Sequence, residues 1–408
     1  EMNEEKKLVP KLRFPEFRGA REWEPKRLAD TCLLITNGKA NAQDHEDDGE
    51  YPLFDRSAVI KKSSEFMFDA EAVILPGEGM RFVPKYFQGK FNLHQRAYAL
   101  MRHQGDGRFV YYSLDYLQEL LAKKAVKSTV LSLRLPIVQD FVIGCPKSAE
   151  QQKIADCLSS LDELIAAQAR KVEALKTHKK GLMQQLFPRE GETQPRLRFP
   201  EFNSAGDWKE KPFGDLLSDI LDFRGRTPNK LGMEWGGGGI ASLSANNVKN
   251  GFIDYAAECN MGSEELYQRW MGGVNLEKGD IVFTMEAPLG NATLLPDSEK
   301  YILSQRVVAF KTCSEVLNTF LVQVIWGEEF QTAINQLATG STAKGINQKA
   351  LKTVQVKLPC PKEQQRIADC LTALNTLITA ATQELETLKT HKKGLMQQLF
   401  PLAEVVEA

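Results

Sequence analysis

One segment of this chain is written twice. Residues 150–188 align without gaps on residues 363–401, an offset of 213, and 27 of the 39 positions are identical. The block Leu175–Pro188 recurs letter for letter as Leu388–Pro401. A shorter repeat opens each half: Leu12-Arg13-Phe14-Pro15-Glu16-Phe17 and Leu197-Arg198-Phe199-Pro200-Glu201-Phe202, followed by Trp23 and Trp208 respectively. Between these markers lie two unlike stretches of about 120 and about 150 residues, each the size of one domain. One faint echo links them, Leu93-His94-Gln95-Arg96-Ala97-Tyr98-Ala99-Leu100 against Leu303-Ser304-Gln305-Arg306-Val307-Val308-Ala309-Phe310. The expected organisation is a first domain over 1–147, a helix over 148–188, a linker and repeat entry over 189–207, a second domain over 208–360, a second helix over 361–402 and a tail over 403–408.

Both repeated segments carry an apolar stripe of period 3.5, the mark of a coiled-coil seam. In the first it runs Ile154, Leu158, Leu161, Ile165, Val172, Leu175, Leu182 and Leu186, interrupted at Gln168 and Lys179. In the second it runs Ile367, Leu371, Leu374, Ile378, Ala381, Leu385, Leu388, Leu395 and Leu399, interrupted at Lys392. Pro188 and Pro401 stop the helices. Each is ~55 Å long at 1.5 Å per residue. A narrow stripe needs a partner helix, and the other copy is the simplest one, antiparallel about a pseudo-twofold axis. The alternative is that each helix folds back on its own domain.

The stretches between the helices read as α+β. Strand-like runs occur at Ala72–Leu75, Asp280–Phe283 and Val307–Phe310, and short helices are expected at Tyr112–Lys124 and Glu315–Leu337. No apolar run reaches the ~20 residues of a membrane span. The seven cysteines form no C-x-x-C pair, which suits a reducing cytoplasm. There is no H-E-x-x-H, G-x-S-x-G or dinucleotide loop, and Gly340–Gly345 lacks the Lys-Ser/Thr of a phosphate loop. No catalytic residue and no metal site is expected.

The helix openings Glu150-Gln151-Gln152-Lys153-Ile154-Ala155 and Glu363-Gln364-Gln365-Arg366-Ile367-Ala368 resemble the specificity (S) subunit of type I restriction–modification systems, as do Ser128-Thr129, Ser341-Thr342, Arg226-Thr227-Pro228 and Leu276-Glu277-Lys278-Gly279-Asp280-Ile281. The first domain lacks the T-P and K-G-D elements. The resemblance implies a non-catalytic DNA-specificity subunit with two target-recognition domains. Its implied partners are double-stranded DNA with a bipartite site, two methyltransferase subunits using S-adenosylmethionine for adenine-N6 methylation, and restriction (translocase–nuclease) subunits using ATP and Mg. It implies a cytoplasmic, nucleoid-associated protein.

Base reading needs polar side chains on exposed loops. The candidates are Arg56, Ser57, Arg81, Ser128 and Thr129 in the first domain, and Arg224, Arg226, Asn246, Asn247, Ser341, Thr342 and Lys344 in the second. Charge stands against a simple DNA binder: residues 24–145 carry 16 basic and 16 acidic side chains, and residues 208–358 carry 15 and 17. Either basic groups cluster on one face, or partner subunits supply much of the phosphate binding. Two rival readings are a coiled-coil adaptor with no DNA role and a nuclease.

Overall fold

The computed structural model describes residues 8–127, 129–340 and 343–401. It divides into two compact units, one holding the chain up to Arg170 together with the part from Thr382 onward, the other Lys171–Ala381.

The first unit runs β1 (Glu24–Arg27), α1 (Leu28–Thr31), β2 (Cys32–Asn37), β3 (Tyr51–Phe54), β4 (Lys61–Ser63), β5 (Phe68–Pro76), β6 (Glu78–Gly79), β7 (Lys85–Leu93), β8 (Ala97–His103), α2 (Gly107–Tyr116), α3 (Gln118–Lys124), β9 (Val126–Lys127), β10 (Leu131–Ser132), α4 (Leu135–Gln139), β11 (Val142–Cys145) and the opening of α5 (Ser148–Leu186). Its main sheet has the order β2-β8-β5-β7-β3-β4, antiparallel except for the β3–β7 pair. The apolar run in β5 is continuous because the strand is covered on both faces. Val73 and Leu75 pack with Leu114 and Leu121 of the helical layer, whereas Ala72 and Ile74 pack with Phe54 and Phe91.

The second unit takes the end of α5 and continues with β12 (Lys209–Pro212), β13 (Leu217–Leu221), β14 (Ile240–Leu243), β15 (Val248–Lys249), β16 (Phe252–Ile253), β17 (Met261–Gly262), α6 (Glu264–Met271), β18 (Ile281–Thr284), β19 (Ala292–Leu294), β20 (Tyr301–Leu303), β21 (Val307–Thr312), α7 (Asn318–Trp326), α8 (Glu328–Leu337), α9 (Gln348–Lys352), β22 (Gln355–Leu358) and the start of α10 (Pro361–Leu399). Sheets ordered β13-β21-β18-β19 and β17-β14-β20 build its core. The trio β13-β21-β18 reproduces β2-β8-β5: in both, two antiparallel strands flank the later one.

Two expected helices differ in extent. The first begins earlier, at Gly107, because Asp106 accepts from the amides of Arg108 and Phe109 and caps it, and it breaks at Leu117. The second splits into α7 and α8 at Gly327, which is extended.

Helices α5 and α10 meet inside each unit. In the first, Ile154, Ala155 and Leu158 near the start of α5 pack with Met396 and Leu399 at the end of α10 and with Phe400 beyond it. Lys392 Nζ pairs with Asp162 Oδ1 at 2.6 Å, and Gln168 Nε2 donates to Glu384 Oε2 at 2.8 Å. In the second unit, Leu182, Met183 and Leu186 from the end of α5 join Ile367, Ala368 and Leu371 from the start of α10. Early residues meet late ones in both, so the helices are antiparallel and the fold-back alternative does not hold. Every named seam residue is buried or half-buried, and the interrupting Gln168 is buried with its amide bonded.

The repeated motifs are the joints of each unit. Arg13 donates to both oxygens of buried Glu150 at 2.7 Å, and Arg198 does the same to Glu363 at 2.8 Å. Those bonds raise both guanidinium pKa values. Gln151 donates to the Pro146 carbonyl and accepts from Asp106 N at the head of α2; Gln364 donates to the Pro359 carbonyl and accepts from Leu317 N at the head of α7. Leu12 N donates to Gln398 O, as Leu197 N does to Gln185 O, both at 2.9 Å. A three-ring cluster closes each joint, Trp23/Phe109/Phe400 in one unit and Trp208/Phe320/Phe187 in the other. The invariant letters of the repeat are therefore spent on docking a domain to the helix pair.

Candidate nucleic-acid interface

Strand β5 ends at Pro76, opposite Ala97 of β8. One residue on, Gly77 N donates to the Arg96 carbonyl at 2.9 Å. Glu78 then opens β6 and pairs with Ser132 of β10, which turns back on β9. This places the side chain of Glu78 against two arginines, with Arg96 Nη1 at 2.8 Å and Arg56 Nη1 at 3.9 Å from the same oxygen. Gln95 and Arg96 stand exposed on the tight turn before β8.

The second unit repeats the construction with other letters around it. Strand β18 ends at Thr284, opposite Val307 of β21. One residue on, Met285 N donates to the Arg306 carbonyl at 2.7 Å. Glu286 follows, bridges to Gly345, and Gly345 bridges to Thr339. Arg306 Nε stands 4.0 Å from Glu286 Oε1, and Gln305 and Arg306 occupy the exposed turn before β21. Each domain thus presents a glutamate at a strand end, a Gln-Arg turn on the neighbouring strand, and a hairpin segment beside them.

The sequence candidates fall into three groups. Arg56, Arg81, Thr129, Asn246 and Lys344 are exposed, and Arg56 joins Arg96 at Glu78. Lys344 sits beside Glu286, its carbonyl accepting from Ala287 N. Ser57, Arg224 and Arg226 are half-buried and already committed. Ser57 donates from its amide and hydroxyl to Asp55, shaping its own turn. Burial pulls the Asp55 carboxyl upward, but the bonds from Lys61 and Ser57 prevail and hold it at about 2. Arg224 clasps Asp222 through Nε at 2.8 Å and Nη2 at 2.5 Å, and that bond raises its pKa; Gln348 donates to the same carboxylate. Arg226 donates to the Trp270 carbonyl and lies over the Phe223 ring.

Asn247 is a correction. It is buried, its Oδ1 accepts from Ser244 N and Oγ, and its amide group faces the carbonyls of Asp254, Ala257 and Glu258. Its chemistry serves a turn, because an Asn side chain two or three residues from free backbone groups satisfies them readily. Ser128, Ser341 and Thr342 lie outside the described residues. The Gln-Arg turns at 95–96 and 305–306 were absent from the candidates, although the sequence echo marked them. Of the letters the echo repeats unchanged, Gln95/Gln305 and Arg96/Arg306 are exposed, whereas Leu93/Leu303 and Ala99/Ala309 are buried.

Among the described residues no group of three or more His, Cys, Asp or Glu side chains is arranged to hold a metal, and no helix is long and apolar enough to cross a membrane.

Each of the two mixed α+β domains, docked on the repeat helices, presents an exposed arginine beside a strand-end glutamate. The sequence matches the family described as type I restriction modification DNA specificity domain twice, over residues 20–177 and 205–390, and the chain belongs to that family. It is 25% identical over 410 residues to the type I restriction enzyme MjaVIII specificity subunit of Methanocaldococcus jannaschii, covering 95% of each chain. It is 30% identical over 140 residues to the type I restriction enzyme EcoDI specificity subunit of Escherichia coli, covering 34% of this chain and 31% of the other. In fold it is similar to the crystal structure of the type I restriction–modification S subunit from M. genitalium, with a TM-score of 0.66 at 15% identity over 97% of this chain and 100% of that one. The protein is accordingly a DNA-specificity subunit of a type I restriction–modification system, without catalysis of its own, acting with other subunits of that system and with DNA.

Proposed function

We propose that each domain reads one half of a bipartite site, that the helix pair fixes the spacer between the halves, and that the pair docks two methyltransferase subunits. The observation that carries this reading is the division of labour in the chain. The joints Arg13–Glu150 and Arg198–Glu363, with their glutamines and ring clusters, are the same in both units, while the domains they hold differ. Like joints with unlike domains suit a protein that reads two unlike sequences at a set separation. Two equal docking sites are supported by Leu164 and Leu377, repeat equivalents that are 57% and 58% exposed on the outer faces of α5 and α10. In this reading the methyltransferase partners bring S-adenosylmethionine and modify adenine at N6. Restriction subunits bring ATP and Mg, and the complex works on cytoplasmic, nucleoid DNA.

Inserting four residues in α5 lengthens it by ~6 Å, close to two base-pair steps. The expected outcome is methylation of the same two half-sites at a larger spacing, mapped as methyladenine across a genome. Unchanged spacing would refute the ruler.

A further inference from the structure

We infer that Arg96 and Arg306 are matched phosphate contacts, one in each domain, that set the domain on the duplex without reading its sequence. The inference rests on the DNA reading above. Both arginines occupy the second position of a Gln-Arg turn that leads into the later strand of an equivalent three-strand set. Both have their carbonyl fixed by the first amide beyond the neighbouring strand, Gly77 or Met285. Both have side chains directed at the glutamate one residue further on, Glu78 or Glu286, and both stay largely exposed, at 59% and 49%.

Outside the joints, the three-strand set and these turns with their glutamates, the two domains differ in sequence and in strand layout. Two unlike half-sequences likewise share little in their groove edges, but every duplex shares its phosphates. A contact preserved in both domains therefore matches the invariant part of the ligand, and base reading falls to positions that differ between the domains, such as Arg56, Arg81, Asn246 and Lys344. The glutamates fit this role. An exposed Arg–Glu pair contributes little stability, so exchanging the carboxylate for a phosphate oxygen costs little. Until DNA arrives, the carboxylate keeps the guanidinium aimed. It also bears on the charge balance, since the clamp carries its own counter-charge and each domain stays near neutral while holding a phosphate-binding cation.

The test uses the full-length chain assembled with its methyltransferase partner, titrated against its own duplex and a scrambled duplex of equal length over a range of salt. Arg96→Ala and Arg306→Ala are each expected to weaken both duplexes by the same factor. Each should flatten the log affinity against log salt plot by about 1 unit, and the double variant by about 2. The methylated sequence should stay the same. Arg96→Lys and Arg306→Lys should keep the salt slope, because a phosphate asks for a charge whereas guanine reading asks for the guanidinium fork. Relaxed sequence preference in one half-site, loss of the slope in the Lys variants, or alanine variants indistinguishable from wild type would each overturn the assignment. Failure of the wild-type complex itself to bind its duplex is a separate result, one that brings down the DNA reading and this assignment with it.

Discussion

Lys179 and Lys392 are the same residue of the same fourteen-letter block, yet they live differently. In the first unit Lys392 pairs with Asp162 at 2.6 Å and lies over the Tyr112 ring, whose hydroxyl donates to the same carboxylate at 2.7 Å. In the second, Lys179 lies over Trp326 and, among the described residues, forms no ion pair. The repeat equivalent of Asp162 is Asn375. Burial alone lowers the Lys179 pKa. The contrast separates two kinds of position in the repeat. The Arg–Glu and Gln joints are held to the letter because they fix a domain on the helix pair. The polar interruption tolerates a different partner in each unit, because an aromatic face and a carboxylate each satisfy an ammonium whose stem is packed.

The joints give the severest test of that distinction. Glu150→Gln and Glu363→Gln each leave a largely buried arginine without its charge partner, a change that typically costs about 3–5 kcal/mol. Because the two joints share their geometry, the losses in chemical denaturation should agree within about 0.5 kcal/mol. A large loss at one site and a negligible loss at the other would end the claim that the joints are equivalent. Less severe, and opposite in sign between the units, is replacement of the lysines. Lys392→Met strips Asp162 of its cation and should destabilise by about 1 kcal/mol, the figure for a pair still partly open to water. Lys179→Met replaces a half-buried charge with an apolar stem of similar length and should be neutral or stabilising by up to about 1 kcal/mol. Equal losses at the two sites would mean that the carboxylate does not matter.

How far the sequence was legible follows from the same division. The seam could be read because a 3.5-residue period leaves few alternatives for burying a stripe, and its antiparallel pairing followed from packing two like helices about a pseudo-twofold axis. The strands at 72–75 and 307–310 were visible because burial on both faces demands an unbroken apolar run, and that expected at 280–283 begins one residue later, at Ile281, because Asp280 is paired with Lys311 outside it. The site was less legible. Asn247, Arg224 and Arg226 have the letters of base readers, but Asp254 to Glu258 and Asp222 are set by local loop geometry, and Trp270 by the tertiary placement of α6, neither of which periodicity reports. Arg96 and Arg306 were visible as letters and silent as a site. Their shared place appears only when β8 and β21 are aligned with the strand ends beside them.

The finest test rewrites the second unit toward the first. Asn375→Asp supplies the carboxylate that Lys179 lacks, at the place Asp162 holds relative to Lys392. The sign of the pH effect separates this from a general stabilisation. In the wild type the folded state binds the Lys179 proton less tightly than the unfolded state does, because burial depresses its pKa below the ordinary 10.5. As pH rises through that window the unfolded chain holds more protons than the folded one, so the contribution of this lysine to stability grows with pH. A carboxylate neighbour favours the charged lysine and lifts its folded pKa back. The variant should therefore gain about 0.5 kcal/mol near neutral pH and lose the alkaline rise, measured as denaturation midpoints at a series of pH values approaching 10.5. A variant whose profile runs parallel to wild type would show that position 375 does not reach Lys179, and that the two ends of the helix pair differ in register as well as in partner.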